Sequence, residues 1–99
     1  MWSLDTALVF IREHQKPCMD RGYYLALAGG VLNKGHSDDD LDLVAVPMKD
    51  TSKFTDVHKY IETLGPLRTD YTLPACIHIT MELADSRRVE IAVITGDGL

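Results

Sequence analysis

Two acids, Asp40 and Asp42, stand at positions i and i+2 where a polar loop runs into an apolar stretch. In an extended chain such a pair shares one face, because successive side chains alternate. A third acid, Glu90, sits inside the run VEIAVI. Carboxylates among apolar neighbours cost desolvation energy unless something binds them. A divalent cation carrying a phosphate meets that need. Magnesium takes hard oxygen ligands and keeps positions for water and phosphate oxygens. Two such ions, about 3.5–4 Å apart, require carboxylates that converge from different elements. Upstream, Gly29 and Gly30 close an apolar run. Glycines let a backbone approach a phosphate closely, with N–H groups aimed at its oxygens. Lys34 and His36 lie in the loop that follows and are further candidates for touching phosphate.

The elements that must position these residues can be read from periodicity. Leu4, Leu8 and Ile11, widened by Ala7, predict a helix over 4–15, capped by Ser3, with Pro17 either ending it or starting a short extra turn that Gly22 closes. Residues 23–28 read as a strand that stops at the Gly-Gly turn, and 41–46 as a second strand ended by Pro47. Phe54, Val57, Ile61 and Leu64 predict a helix over 52–64, capped by Asp50, Thr51 or Ser52 and stopped by Gly65-Pro66. Residues 76–83 and 88–94 alternate as strands, and the tail 96–99 is expected to be loose. Matching apolar faces in that last hairpin pairs Met81 with Val89, Ile79 with Ile91 and Ile77 with Val93. Glu90 then sits opposite Thr80 on the more polar face, with His78 beside it.

Taken together, the strand, the Gly29-Gly30 turn, the Asp40-Leu41-Asp42 pair and the later Glu90 resemble the nucleotidyltransferases of the DNA polymerase beta type. The likeness covers most of the chain and is nearest to the small stand-alone, or minimal, members. It implies an α/β (α+β) fold: a small mixed sheet with helices on one face and a metal site on the other. It implies transfer of a nucleoside monophosphate from a nucleoside triphosphate, ATP first among them, to a hydroxyl acceptor. Asp40 and Asp42 would then hold two magnesium ions, and Glu90 would hold the catalytic one near the attacking hydroxyl. Gly29 and Gly30, with Lys34 and His36, would hold the triphosphate. A helical partner protein is implied in the same way, and a separate possibility is a half-site enzyme completed by a homodimer. Two departures are visible: Gly30 stands where many members carry Ser, and Val31, Leu32, Asn33 and Lys34 stand where an Arg often follows the turn. The alternative is a regulatory or binding module that keeps the fold without the chemistry and works through a protein partner.

Composition narrows the remaining classes. The 99 residues suit one domain. A net charge of −5, from 15 acidic and 10 basic residues, argues against autonomous binding to a nucleic acid backbone. No apolar stretch approaches the roughly 20 residues needed to span a bilayer, and no basic region precedes an apolar one at the N-terminus. Cys18 and Cys76 read as reduced thiols of a cytoplasmic protein. The run 38–42 has a bland reading as a solvated acidic turn, and Glu90 has one as partner of Arg88 or a lysine. A calcium loop is excluded by the absence of Gly and Glu at the required sixth and twelfth positions. His78 reads as structural, Lys53, Lys59 and Arg68 as solvated, and Trp2 and the tyrosines as core or boundary residues.

Overall fold

The computed structural model describes residues 1–49 and 51–95. The cap candidate Asp50 and the tail 96–99 lie outside the described residues. The chain is a mixed α+β fold. Its elements run β1 (Trp2–Ser3), α1 (Leu4–Asp20), β2 (Tyr23–Leu27), α2 (Gly29–Lys34), β3 (His36–Ser37), β4 (Leu41–Pro47), α3 (Phe54–Glu62), β5 (Leu67–Leu73), β6 (Cys76–Glu82) and β7 (Arg88–Ile94). Five strands form one sheet in the order β2-β4-β7-β6-β5, and β1 and β3 form a separate pair. Within the sheet β4 and β7 are parallel and the other neighbours antiparallel.

Alternation decides which face is covered. Leu41, Leu43 and Ala45 of β4, Ile79 and Met81 of β6, and Val89, Ile91 and Val93 of β7 join one buried cluster with Ala7 and Phe10 of α1 and Val57 and Ile61 of α3. The intervening residues of each strand face away from the helices. The β6–β7 register is the one the sequence predicts, with Met81 opposite Val89, Ile79 opposite Ile91, Ile77 opposite Val93 and Thr80 opposite Glu90. The polar stretch at 67–73 adds a strand that periodicity does not announce; its side chains are mostly solvated because β5 is a sheet edge.

Helix α1 departs from expectation in its buried stripe, and of the two readings at Pro17 it takes the extra turn. Ser3 caps it as predicted: its Oγ accepts from the Thr6 N–H (3.1 Å), while Thr6 Oγ1 accepts from the Ser3 N–H (2.9 Å). The buried stripe, however, is Ala7, Phe10 and Cys18, whereas Leu4 and Leu8 are 44% and 41% exposed. Phe10 takes the core position because it meets Trp2 edge-on, with ring centroids 5.8 Å apart. The helix also continues through Pro17 to Asp20. The extra turn carries Cys18 into the core, and that burial offsets the hydrogen bond Pro17 cannot make. Ser52 does not cap α3, whose N-cap is Lys53 without a side-chain bond. Its hydroxyl instead donates to the Gly22 carbonyl (2.8 Å).

Gln15 solves a problem at the other sheet edge. Its Oε1 accepts from the Leu25 N–H (2.6 Å) and its Nε2 donates to the Leu25 carbonyl (2.9 Å). One side chain thus stands in for a neighbouring strand along β2 and blunts an open edge. Gln15→Ala should lower the free energy of unfolding in urea by about 1–2 kcal/mol, two modest hydrogen bonds' worth, without changing the folded far-UV spectrum. An unchanged midpoint would mean that water replaces the amide at no cost.

Candidate functional site

The pairing of β4 with β7 places Asp42 directly beside Glu90. The row continues across the sheet, because Glu90 pairs with Thr80 on β6 and Thr80 with Arg68 on β5. Asp42, Glu90, Thr80 and Arg68 therefore form a line across four strands on the face away from the helices, at the usual spacing of about 4.8 Å per strand. Two carboxylates directly opposite each other repel. Nothing in packing requires them there, since both lie outside the core cluster.

The surroundings show how the repulsion is managed. Burial, the largest cause, and the charges of Glu90 and Asp40 push the Asp42 carboxyl above its ordinary range. A hydrogen bond from the Gly30 N–H and the nearby His78 offset part of that rise. On the other side of the row, His78 Nδ1 lies 3.1 Å from Glu90 Oε1. The Tyr71 ring stacks on the His78 ring, centroids 4.1 Å apart and 19° between planes, with its hydroxyl 3.0 Å from Nε2. Asp40, just before β4, faces Arg88: Nε is 3.2 Å from Oδ1. That oxygen is sealed from solvent and has no hydrogen bond, so the guanidinium is close but out of line. The loop bearing Asp40 is fixed by Ser37, whose hydroxyl donates to the Asp40 carbonyl (2.9 Å), and β3 is tied to β1 through Trp2 and Ser37.

The first of the two glycines is explained by Asp42. Gly29 and Gly30 do not form a simple turn; they open the short helix α2, after Ala28 at its N-cap. Gly29 has φ +64°, and a Cβ built on it would run into the Asp42 carboxylate. The position needs both left-handed freedom and the absence of a side chain. Lys34 and His36 follow on the same short helix and the strand after it, with the His36 carbonyl close to Gly30. Lys34 is exposed in the last turn of α2, at the end opposite Gly29, and His36 is exposed in β3 opposite Ser3. Among the described residues neither side chain makes a hydrogen bond or ion pair. The expected set thus divides. Asp42, Glu90, Gly29 and Gly30 gather at one point with Asp40 and Arg88 at its margin, while Lys34 and His36 have exposed side chains on the adjoining helix and strand.

As oxygen donors, Asp40, Asp42 and Glu90 suit a hard divalent cation, and the unpartnered Asp40 Oδ1 together with the mutual repulsion at Asp42 fits one. Among the described residues, no group of three or more His, Cys, Asp and Glu side chains is already drawn together around a metal position. Glu90 and Asp40 would have to turn from His78 and Arg88 to complete one. Sequence reasoning assigned neither of those partners. Alternation did place His78 on Glu90's face, but Arg88 reaches Asp40, across the parallel pair, instead of Glu90. The thiols contribute nothing here: Cys18 is free and its thiol is raised to about 11 by burial, and Cys76 is free and raised in the same direction. No family model matches the sequence, and no curated protein matches it.

The raised Asp42 carboxyl makes a stability prediction. The folded state holds this proton more tightly than the unfolded chain, so stability is fully present in acid, below the unfolded value, and is lost as pH rises through the elevated one. Asp42→Asn should therefore raise the melting temperature at neutral pH, by an amount equivalent to about 0.5 kcal/mol after solvent screening. The gain should disappear in acid. A variant less stable than wild type at neutral pH would show that Asp42 is a structural anchor.

Proposed function

We propose that the chain is a magnesium-dependent nucleotidyltransferase core that moves a nucleoside monophosphate from a nucleoside triphosphate, ATP first, to a hydroxyl acceptor. The observation that carries this reading is the Asp42–Glu90 pair on adjacent parallel strands, with the backbone of Gly29 against the Asp42 carboxylate. Asp40, Asp42 and Glu90 would hold the cation, which when bound supplies positive charge at the phosphates. Gly29 and Gly30 would present backbone to the triphosphate without a side chain in the way. The Glu90 carboxylate would take the proton of the acceptor hydroxyl, whose oxygen forms the new bond to the α-phosphorus. The bond from that phosphorus to the bridging oxygen breaks, and pyrophosphate leaves with its electron pair. His78 orients Glu90 through the bond at Nδ1, and Tyr71 packs the His78 ring in place.

A second reading, a binding or regulatory module acting through a protein partner, is favoured by one observation. Glu90 and Asp40 each already face a basic side chain, His78 and Arg88. In either reading a helical partner or a second copy has the exposed Leu4 and Leu8 of α1 and Leu32 of α2 to work with. Among the described residues no helix is long and apolar enough to cross a membrane. A cytoplasmic setting is part of the proposal.

Calorimetry separates the readings. Binding of a non-hydrolysable ATP analogue should require magnesium and be lost in the Asp40→Ala, Asp42→Ala double variant. Glu90→Ala should lose pyrophosphate release by about a hundredfold or more, the range for a positioned proton acceptor. Magnesium-dependent binding with no pyrophosphate release in the presence of a cell lysate would favour the regulatory module. Binding indifferent to magnesium and to Asp42 would overturn both.

A further inference from the structure

The line across the sheet has a direction. Gly29 lies at the β2 side of Asp42, and Thr80 and Arg68 lie beyond Glu90 on the opposite side. If the triphosphate rests on the glycine side, displacement in line at the α-phosphorus brings the acceptor from the Thr80 and Arg68 side. A cavity of about 220 Å³ opens there, lined by Pro66, Leu67, Arg68, Thr80, Glu82 and Arg88.

Each of the two guanidiniums of that cavity faces an acid outside its lining, and one of them is hydrogen-bonded to it. Arg68 donates from Nε to Asp70 Oδ1 (2.7 Å), and the buried Thr80 hydroxyl donates to the other oxygen of Asp70. Arg88 approaches Asp40 through Nε (3.2 Å). Arg68 is held by its inner nitrogen, whereas Arg88 only faces Asp40 through Nε, without a hydrogen bond. Among the described residues their terminal Nη groups have no hydrogen-bond or ion-pair partner. A guanidinium carries five N–H donors in a planar fork, so most of that capacity remains for something else. Glu82, cross-strand from Arg88, is the one acid in the lining itself, beside the two guanidiniums. Anchoring lowers the entropy lost when the Arg68 fork closes on a ligand.

We infer that this cavity is the acceptor subsite and that the acceptor is a small hydroxyl compound bearing an oxyanion, phosphate or carboxylate, which Arg68 and Arg88 grip while its hydroxyl reaches Glu90. The inference rests on the transferase reading for the word acceptor. The oxyanion site itself rests on the cavity and the two forks.

The test is a pair of nuclear magnetic resonance titrations of the full chain, following backbone amide shifts. Inorganic phosphate and malonate, without metal, should shift Leu67, Arg68, Thr80, Glu82 and Arg88 to saturation. The tighter of the two identifies the oxyanion. Arg68→Gln should weaken that binding about tenfold, the worth of one charged hydrogen bond, and Arg68→Lys should recover part of it. Arg68 is 72% exposed at its side chain, so its replacement leaves the fold intact. A separate titration with magnesium and the ATP analogue should shift Gly29, Gly30 and Asp42 instead. Shifts in the first titration that ignore Arg68→Gln, or that gather on Lys34, Arg21 or Lys59, overturn the subsite. Saturable phosphate binding at Arg68 with no response to magnesium and nucleotide upholds the oxyanion site and removes the transferase reading. The reverse pattern keeps the transferase reading and removes the subsite.

Discussion

The parallel pairing of β4 with β7 is the constraint on which the site depends. It sets Leu41 beside Val89, Leu43 beside Ile91 and Ala45 beside Val93 on the covered face, and Asp42 beside Glu90 on the other. A slip by one residue would turn the acids into the core and the apolar residues out of it. A slip by two would keep the faces and put Asp42 beside Arg88, an attractive pair. The chain does not take that gain. A cross-strand charge pair is worth about 0.2–1 kcal/mol, whereas each buried Leu, Ile or Val is worth about 1.5–3 kcal/mol. Packing therefore fixes the register, and the acids accept a repulsive neighbour as its consequence. Two carboxylates thus lie side by side outside the core, against their own electrostatics.

The rest of the open face is organised around that repulsion. His78 sits against Glu90 and Arg88 against Asp40, so each flanking acid has a base, while Asp42 between them receives only the Gly30 N–H and the more distant His78. Burial and the neighbouring charges push the middle acid above its ordinary range. Gly29 follows from the same arrangement. Helix α2 starts so close to Asp42 that a side chain at this position would occupy the carboxylate's place. Gly29 is a consequence of backbone and acid sharing one small volume.

Much of this was legible in the residues. Clean alternation in β6 and β7 gave the hairpin register down to the Thr80–Glu90 pair, because one face is wholly apolar and tolerates no slip. The i, i+2 spacing of Asp40 and Asp42 and the burial pattern of β4 were equally plain. Other features had no local signal. The adjacency of Asp42 and Glu90 arises from a parallel pair whose strands are separated by α3, β5 and β6, and only the family likeness suggested it. Strand β5 is an edge with the polar sequence LRTDYTL, so it lacks the period that betrays a half-buried strand. In α1 two apolar stripes compete, Leu4-Leu8-Ile11 and Ala7-Phe10, and their hydrophobicity does not choose between them. The choice comes from Trp2, which β1 and β3 hold in the core where Phe10 can meet it.

Charge then changes sign along the row. Asp42 and Glu90 occupy the central strands, Thr80 is neutral, and Arg68 ends the row on the edge strand. In a chain of net charge −5, two guanidiniums gathered beside the acids are a local exception. They are not there to neutralise the acid pair, since Arg68 is two strands away from Glu90 and is spent on Asp70 through a single nitrogen. Acids anchor bases at one end of the row, and bases anchor acids at the other. The face is thereby polarised without collapsing into closed ion pairs, which would leave no donor or acceptor for a ligand. A cation and an anion can approach the same face a few ångströms apart only if the protein keeps its own opposite charges tethered in this way, each by part of its bonding capacity.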